Sequence, residues 1–306
     1  MMISAPGKLI LFGEHAVVFG EPAVALAVDL RMRCEAFRSP TYRVNGQALS
    51  PDRHAYIFSA ISRYWKGEPL TVNTVSEIPS GSGLGSSAAV TVSVLGGLMS
   101  LSTGMDEPLL AERAFQVESE VQGRASPIDT SVSTHGNGVY LDTERGDDHL
   151  WSISMDTRRW HIHHLEVPEL SLVVGYTGIH APTGPLVSSV KRLVSTDPKA
   201  RRWVEEIGEI SREGARALRR NDQEGLGELM DRNHRLLASL GVSSPQLDAL
   251  VEAVRPYSRG AKLTGAGGGG SMVALTDRVR ETSVAIRKNG GRPIAVHTGV
   301  PGVRVE

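Results

Sequence analysis

The sequence predicts an α+β protein folded as two lobes. Three observations carry this. Apolar residues alternate at strand period over residues 23–37, a glycine-rich segment at 79–89 stands between a predicted strand and a predicted helix, and the stretch from Leu186 to Tyr257 is dominated by helical patterns before a β-α-β finish. With 306 residues, 40% hydrophobic and 22% charged, the chain can bury a large core or two smaller ones. The lobe boundary is expected between residues 160 and 168, giving lobes of 1–165 and 166–306. Neither an internal repeat nor a low-complexity tract is evident.

Taken in order, residues 2–12 read as a short strand interrupted at Pro6-Gly7. In the next strand, Val24, Leu26, Val28 and Leu30 alternate with Ala23, Ala25 and Ala27, so both faces are expected to be covered. His54–Trp65 reads as a helix and Leu70–Val75 as a strand leading into the glycines. Ser86–Leu101 is helical in pattern, and its Gly96-Gly97 pair suits close helix packing. Asp106 is a plausible N-cap for a helix to Gln122, with Pro108 in the first turn and Leu110, Ala114, Val117 and Val121 as its apolar stripe. Val139–Met155 reads as strands around a polar turn, and Trp151 and Trp160 as packing residues. Leu170–Tyr176 is a further strand. The helical stretch that follows breaks near Asp197-Pro198, Asn221-Asp222 and Gly241. A turn-containing segment ends in the strand Ser271–Leu275, Arg278–Asn289 reads as a helix, and Ile294–Thr298 as the last strand.

Thirty-three basic against 34 acidic residues leave a net charge of −1, which gives no global attraction to nucleic acid or to an anionic membrane. An anionic ligand must therefore be held locally. The single cysteine, Cys34, excludes an intramolecular disulfide and reads as a small buried hydrophobe. No signal peptide is evident and no run of apolar residues is long enough to span a bilayer, so a cytoplasmic protein is expected.

The chemistry concentrates in Pro79, Ser80, Gly81, Ser82, Gly83, Leu84, Gly85, Ser86, Ser87, Ala88 and Ala89. Alternate glycines expose backbone N–H groups and remove the Cβ atoms that would hold phosphate oxygens away. The helix that follows contributes unpaired N–H donors and a partial positive charge. Ser86 and Ser87 can offer hydroxyls to phosphate oxygens or to Mg²⁺. The segment is neither a Walker A loop, lacking Gly-Lys-Ser/Thr, nor a dinucleotide fingerprint with its downstream acid. Taken alone, other candidate residues are ordinary. Lys8 reads as an exposed lysine, His15 as a structural histidine, Glu118 as a surface glutamate at the edge of its helix stripe, and Asp129 after Ser126-Pro127 as a turn or cap.

Three segments together resemble the GHMP kinases. Ala5–Val18 (APGKLILFGEHAVV) resembles their first motif, Pro79–Ala89 their second, and Lys262–Gly270 (KLTGAGGGG) their third, in the family's order. The string Gly13-Glu14-His15-Ala16-Val17-Val18, followed by Gly20-Glu21-Pro22-Ala23, is most similar to the mevalonate kinase branch, in its compact archaeal or bacterial form. The resemblance implies a two-lobed fold, an N-terminal lobe like the second domain of ribosomal protein S5 and a ferredoxin-like C-terminal lobe. It implies ATP as phosphoryl donor, Mg²⁺ as cofactor, mevalonate as acceptor and a homodimer. It further implies Asp129 and Lys8 as catalytic residues, Glu14, His15 and Thr183 at the acceptor, residues 79–89 at ATP, and Ser87 with Glu118 on the metal. Glu118 would stand three helical turns before Asp129. Two departures are visible: Arg124-Ala125 replaces a Gly-Asn pair common in relatives, and Gly184 follows Thr183 in place of a lysine or similar residue.

Within the resemblance, phosphomevalonate, homoserine or a sugar are alternative acceptors. A phosphorylated acceptor calls for more basic residues than Lys8 and Arg124. A decarboxylase relative is disfavoured because Lys8 and Glu14-His15 are intact. A non-catalytic nucleotide-binding regulator is disfavoured because Lys8, Glu118 and Asp129 are all retained.

Overall fold

The computed structural model describes residues 1–123, 126–180 and 182–306. Arg124-Ala125 and Ala181 lie outside the described residues. In chain order the first part holds β1 (Met2–Phe12), a 3-10 turn at Ala16–Phe19, β2 (Ala23–Arg38), β3 (Arg43–Val44), β4 (Gln47–Ala48), α1 (Ala55–Tyr64), β5 (Leu70–Ser76), α2 (Ser86–Ser100), α3 (Glu107–Gln122), α4 (Ile128–His135), β6 (Gly138–Asp142), β7 (His149–Met155) and β8 (Arg158–Leu165). Then follow β9 (Ser171–Tyr176), α5 (Thr183–Thr196), α6 (Pro198–Arg219), α7 (Gln223–Ser239), α8 (Pro245–Val254), β10 (Gly260–Thr264), β11 (Ser271–Leu275), α9 (Val279–Lys288), β12 (Arg292–His297) and β13 (Arg304–Val305).

Two sheets organise these elements. Among the described residues one is nine-stranded, in the order β4-β3-β5-β2-β6-β8-β7, with β1 on the other edge of β2 and β13 beyond β1. The second runs β10-β11-β9-β12, all antiparallel. The sheet changes between Leu165 and Ser171, and the chain returns to the first sheet at β13. This is the α+β architecture that the sequence predicts.

β2 is the spine of the first sheet. One edge pairs with β1 along its length; the other is shared by β6 and β5. Its two faces are both covered. Val24, Leu26 and Val28 enter the main core, while Ala23, Ala25 and Ala27 join Ala111, Phe115, Ile128 and Val132 in a second core. The small alanine side chains let α3 and α4 lie close to the sheet. Trp160 packs edge-to-face on Phe115 in the same core.

β1 is continuous rather than interrupted at Pro6-Gly7. The pairing register with β2 shifts between these two residues instead, a bulge of the kind that tolerates proline in a strand. Gly7 is required there: a Cβ would lie 2.9 Å from the Leu84 carbonyl oxygen. The glycine-rich segment thus closes onto β1, with the Lys8 N–H donating to Leu84 O at 2.9 Å. Gly96 and Gly97 allow close approach as expected, facing Ile3 and Ala36 respectively. Cys34 is fully buried, and burial pushes its thiol up to about 12.

Between Thr298 and Glu306 the chain forms a strap over the end of α4. Val303 N donates to Thr134 O at 2.9 Å, and Asn137 N to Val300 O at 2.7 Å. The buried Arg31 guanidinium holds this strap, donating to Pro301 O at 2.9 Å and Gly302 O at 2.6 Å as well as to Ser4 Oγ at 2.8 Å.

Candidate active site

Lys8 sits at the middle of the site. Its side chain is buried against Gly85, and its ammonium pairs with Asp129 Oδ2 at 2.9 Å. Asp129, expected in a turn or helix cap, lies in the first turn of α4. Glu118 and Asp129 stand on separate helices. α3 ends at Gly123, whose φ of 73° is left-handed, and Asp129 belongs to a separate helix. Contact between α4 and β1, including Ser133 Oγ donating to Pro6 O at 2.9 Å, brings Asp129 to Lys8.

One expectation for Glu118 is corrected. It stands on the buried face of α3 rather than at its edge, 2% exposed. Its Oε1 accepts from Ser87 Oγ at 2.9 Å and from Gln122 Nε2 at 3.1 Å. Burial first, and the charge of Asp129 second, push its carboxyl up to about 8. That mutual influence places Glu118, Asp129 and Lys8 in one electrostatic neighbourhood. Asp129 Oδ1 is buried without a partner.

The glycine-rich segment forms the adjoining wall. Gly81, Gly83 and Gly85 have φ of 75°, 76° and 76°, left-handed conformations that favour glycine. Gly85 is the N-cap of α2 and has no side chain to satisfy the first N–H groups of Ser86, Ser87 and Ala88. Pro79, Ser80, Gly81 and Gly83 are exposed, whereas Ser82, Leu84, Ala88 and Ala89 are buried. Leu84 anchors the loop in the core, and Ser82 Oγ closes a turn on Pro79 O at 2.7 Å. Ala88 and Ala89 can therefore offer only backbone N–H groups, and that of Ala89 already bonds Gly85 O at 2.9 Å.

Glu14 and His15 form a second cluster. His15 has an unusual φ of 62° for a residue with a side chain. Its Nε2 lies 2.9 Å from Ala266 O; a carbonyl only accepts, so Nε2 carries the proton and Nδ1 is the free acceptor. Burial lowers the pKa of this imidazole and keeps it neutral, and Nδ1 has no partner. Glu14 pairs with Lys262 in a fully buried ion pair, and its Oε2 is likewise unpartnered. Lys8 lies close enough to lower the Glu14 pKa, against the larger opposing effect of burial.

Thr183 is the predicted residue that the structure does not tie to these. It is exposed at the start of α5, with no hydrogen bond to the cluster among the described residues. Two residues escaped the sequence reading. Lys262 lies within the third motif but received no role; a lysine between Ala261 and Leu263 in a strand run was the available signal. Tyr56 on α1 reaches Gln122 at 3.2 Å and lies beside Ser87 and Glu118, and nothing in its local sequence marks it.

Oxygen donors of this kind suit a hard divalent cation. Ser87 Oγ and Glu118 supply a hydroxyl and a carboxylate, and Mg²⁺ typically takes one or two carboxylates with phosphate oxygens completing its shell. Among the described residues no group of three or more His, Cys, Asp or Glu could hold a metal alone.

The chain matches the family GHMP kinases N terminal domain over residues 54–137 and GHMP kinases C terminal over residues 215–290. The chain is thus a GHMP kinase by family. The mevalonate kinase of Methanothermobacter thermautotrophicus is 38% identical, covering 89% of this chain and 88% of the relative. That of Pyrococcus abyssi is 36% identical, covering 100% of this chain and 98% of the relative. The crystal structure of the Methanococcus jannaschii mevalonate kinase matches with a TM-score of 0.82 at 26% identity, over 98% of each chain. L. major mevalonate kinase in complex with R-mevalonate matches with a TM-score of 0.79 at 26% identity, over 96% of this chain and 94% of the other. The chain belongs to the mevalonate kinase family within the GHMP kinases.

Proposed function

We propose that the chain transfers the γ-phosphoryl group of ATP to the 5-hydroxyl of (R)-mevalonate, in isoprenoid biosynthesis. The observation that carries the chemistry is the 2.9 Å pair of Lys8, itself packed against Gly85 at the N-terminus of α2, with Asp129 Oδ2, which leaves Asp129 Oδ1 buried and unpartnered. Asp129 Oδ1 accepts the hydroxyl proton as the oxygen–phosphorus bond forms and the bond to ADP breaks. Lys8 stabilises the charge developing on the acceptor oxygen and holds Asp129 in place. The N–H groups of Ser86, Ser87 and Ala88 receive phosphate oxygens, and the glycines of residues 79–85 admit them. Ser87 and Glu118 would hold Mg²⁺, which would supply positive charge against the transferring phosphates. Glu14, His15 and Thr183 belong to the acceptor side.

An acceptor without a phosphate of its own is favoured, because both lysines of the site are already paired with carboxylates. The division into lobes at 165/166 is part of this reading and is supported by the change of sheet between Leu165 and Ser171. So are a homodimer, carried by the resemblance alone and testable by sedimentation, and a cytoplasmic location. Among the described residues no helix is long and apolar enough to cross a membrane.

A coupled ADP-release assay across mevalonate, phosphomevalonate, homoserine and galactose tests the reading. Turnover of mevalonate alone is the expected result; turnover of none of the four sinks it. Asp129→Asn should lower kcat by about 10²- to 10⁴-fold. A variant that retained full kcat would remove Asp129 from the proton transfer.

A further inference from the structure

Lys262 is fully buried on β10 and makes its ion pair with Glu14 across the two parts of the chain. Burial lowers the Lys262 pKa and raises that of Glu14, each opposed by the partner's charge. Such a pair is a poor stabilising device, since well-packed uncharged residues usually serve a core as well or better. Its geometry suggests another use. Lys262 grips Glu14 at Oε1 and leaves Oε2 unpartnered; Ala266 O grips His15 at Nε2 and leaves Nδ1 unpartnered. Two consecutive residues are each held on one side by segment 262–266 and each left with a buried acceptor on the other. A third link, Thr264 Oγ1 to Ile10 O at 2.8 Å, fixes that segment against β1. An unsatisfied buried acceptor costs about 1–3 kcal/mol, so both atoms await donors. Hydroxyl groups provide donors and phosphate oxygens do not.

We propose that Lys262 is a positioning residue for acceptor binding, holding Glu14 oriented so that Oε2 accepts a hydroxyl of the phosphoryl acceptor beside His15 Nδ1. This rests on the proposed kinase reading. Lys262 touches no substrate; it acts through Glu14. The third motif thereby controls the acceptor, and the discrimination falls on hydroxyl donors.

Steady-state kinetics of the full chain, varying mevalonate and MgATP separately, and thermal melts test this with Lys262→Met and with the double variant Glu14→Gln/Lys262→Met. Lys262→Met should raise the mevalonate KM at least about tenfold, the loss of one charge-assisted hydrogen bond, with the ATP KM within about twofold of wild type. It should also melt lower, because Glu14 is left unpaired. The double variant carries no buried charge, so its Tm should return toward wild type while its mevalonate KM stays high. A mevalonate KM that recovers with the Tm, or ATP and mevalonate KM values that rise together, would overturn the proposal and leave a merely structural pair. So would a Lys262→Met enzyme with an unchanged mevalonate KM. Wild-type protein that turns over no mevalonate overturns the kinase reading instead, before any variant is made.

Discussion

At the scale of single residues, the site depends on a close approach that only glycine permits. A Cβ on Gly85 would lie 2.5 Å from Lys8 Cγ, whereas one on Gly83, at the same φ of 76°, would meet nothing within 4 Å. Both alanine substitutions incur left-handed strain of about 1–2 kcal/mol, but only Gly85→Ala also displaces the lysine. Gly85→Ala should therefore lower kcat by about 10²-fold, and Gly83→Ala by much less. Equal losses would show that Lys8 does not depend on this contact. Glu118 gives a pH signature. Its folded-state pKa, about 8, lies above its ordinary 4.5, so the folded protein binds the extra proton across that interval. Stability of the metal-free protein should then fall as pH rises from about 4.5 to 8, and Glu118→Gln should flatten that slope. Mg²⁺ must displace the same proton, so MgATP affinity should rise with pH up to about 8. Calorimetric melts and binding titrations across this range check both; a slope that is unchanged in Glu118→Gln removes this group as its source.

Among elements, α4 is the one whose place decides whether the site exists. Its sequence, Ile-Asp-Thr-Ser-Val-Ser-Thr-His, is rich in residues of modest helix propensity, and its hydrogen bonds to Pro6 O and from Val303 N supply what propensity does not. A Cβ on Gly302 would lie 2.0 Å from Thr134 O, so Gly302→Ala should push the strap from the end of α4. We expect about 1–3 kcal/mol of lost stability together with a reduced kcat, measured by denaturant melts and by turnover. Lost stability with an intact kcat would mean that α4 holds Asp129 without the strap. This also explains what could be read from the sequence. β2, α2 and the Asp106-capped α3 announce themselves by period and cap, and Asp106 does accept from Leu109 N at 2.9 Å. The phosphate-binding glycines are legible because their backbone demands are local. β3 and β4 form a two-residue hairpin across Asn45-Gly46 too short to show a period, β13 is a two-residue strand made by a distant partner, β8 lies beyond the predicted strand region, and α4 is made by its surroundings. The pairing of Lys262 with Glu14, 248 positions apart, has no local signal at all.

Across the whole molecule, the two sheets are joined at several points rather than hinged at one. Lys262 reaches Glu14, Ala266 meets His15, Thr264 meets Ile10, and Arg212 on α6 pairs with Glu21 at 3.1 Å. Gly214 on α6 also lies against Phe12. Unfolding should accordingly be one cooperative event. Fluorescence dominated by Trp65, Trp151 and Trp160 should change together with far-UV dichroism, to which helices α5–α9 contribute heavily. Two separated transitions would show that these links do not couple the lobes. The pairing of β13 with β1 carries a consequence in time. Ser4 and Glu306, hydrogen-bonded at 2.6 Å, are 302 positions apart, so β1 keeps an open edge through nearly all of synthesis. Contacts of such separation form late because the loop must close before they are rewarded. A ribosome-held chain stalled short of residue 300 should therefore fold much of its core and bind nucleotide before it can turn over substrate: the last stretch of polypeptide to emerge is what switches the catalyst on.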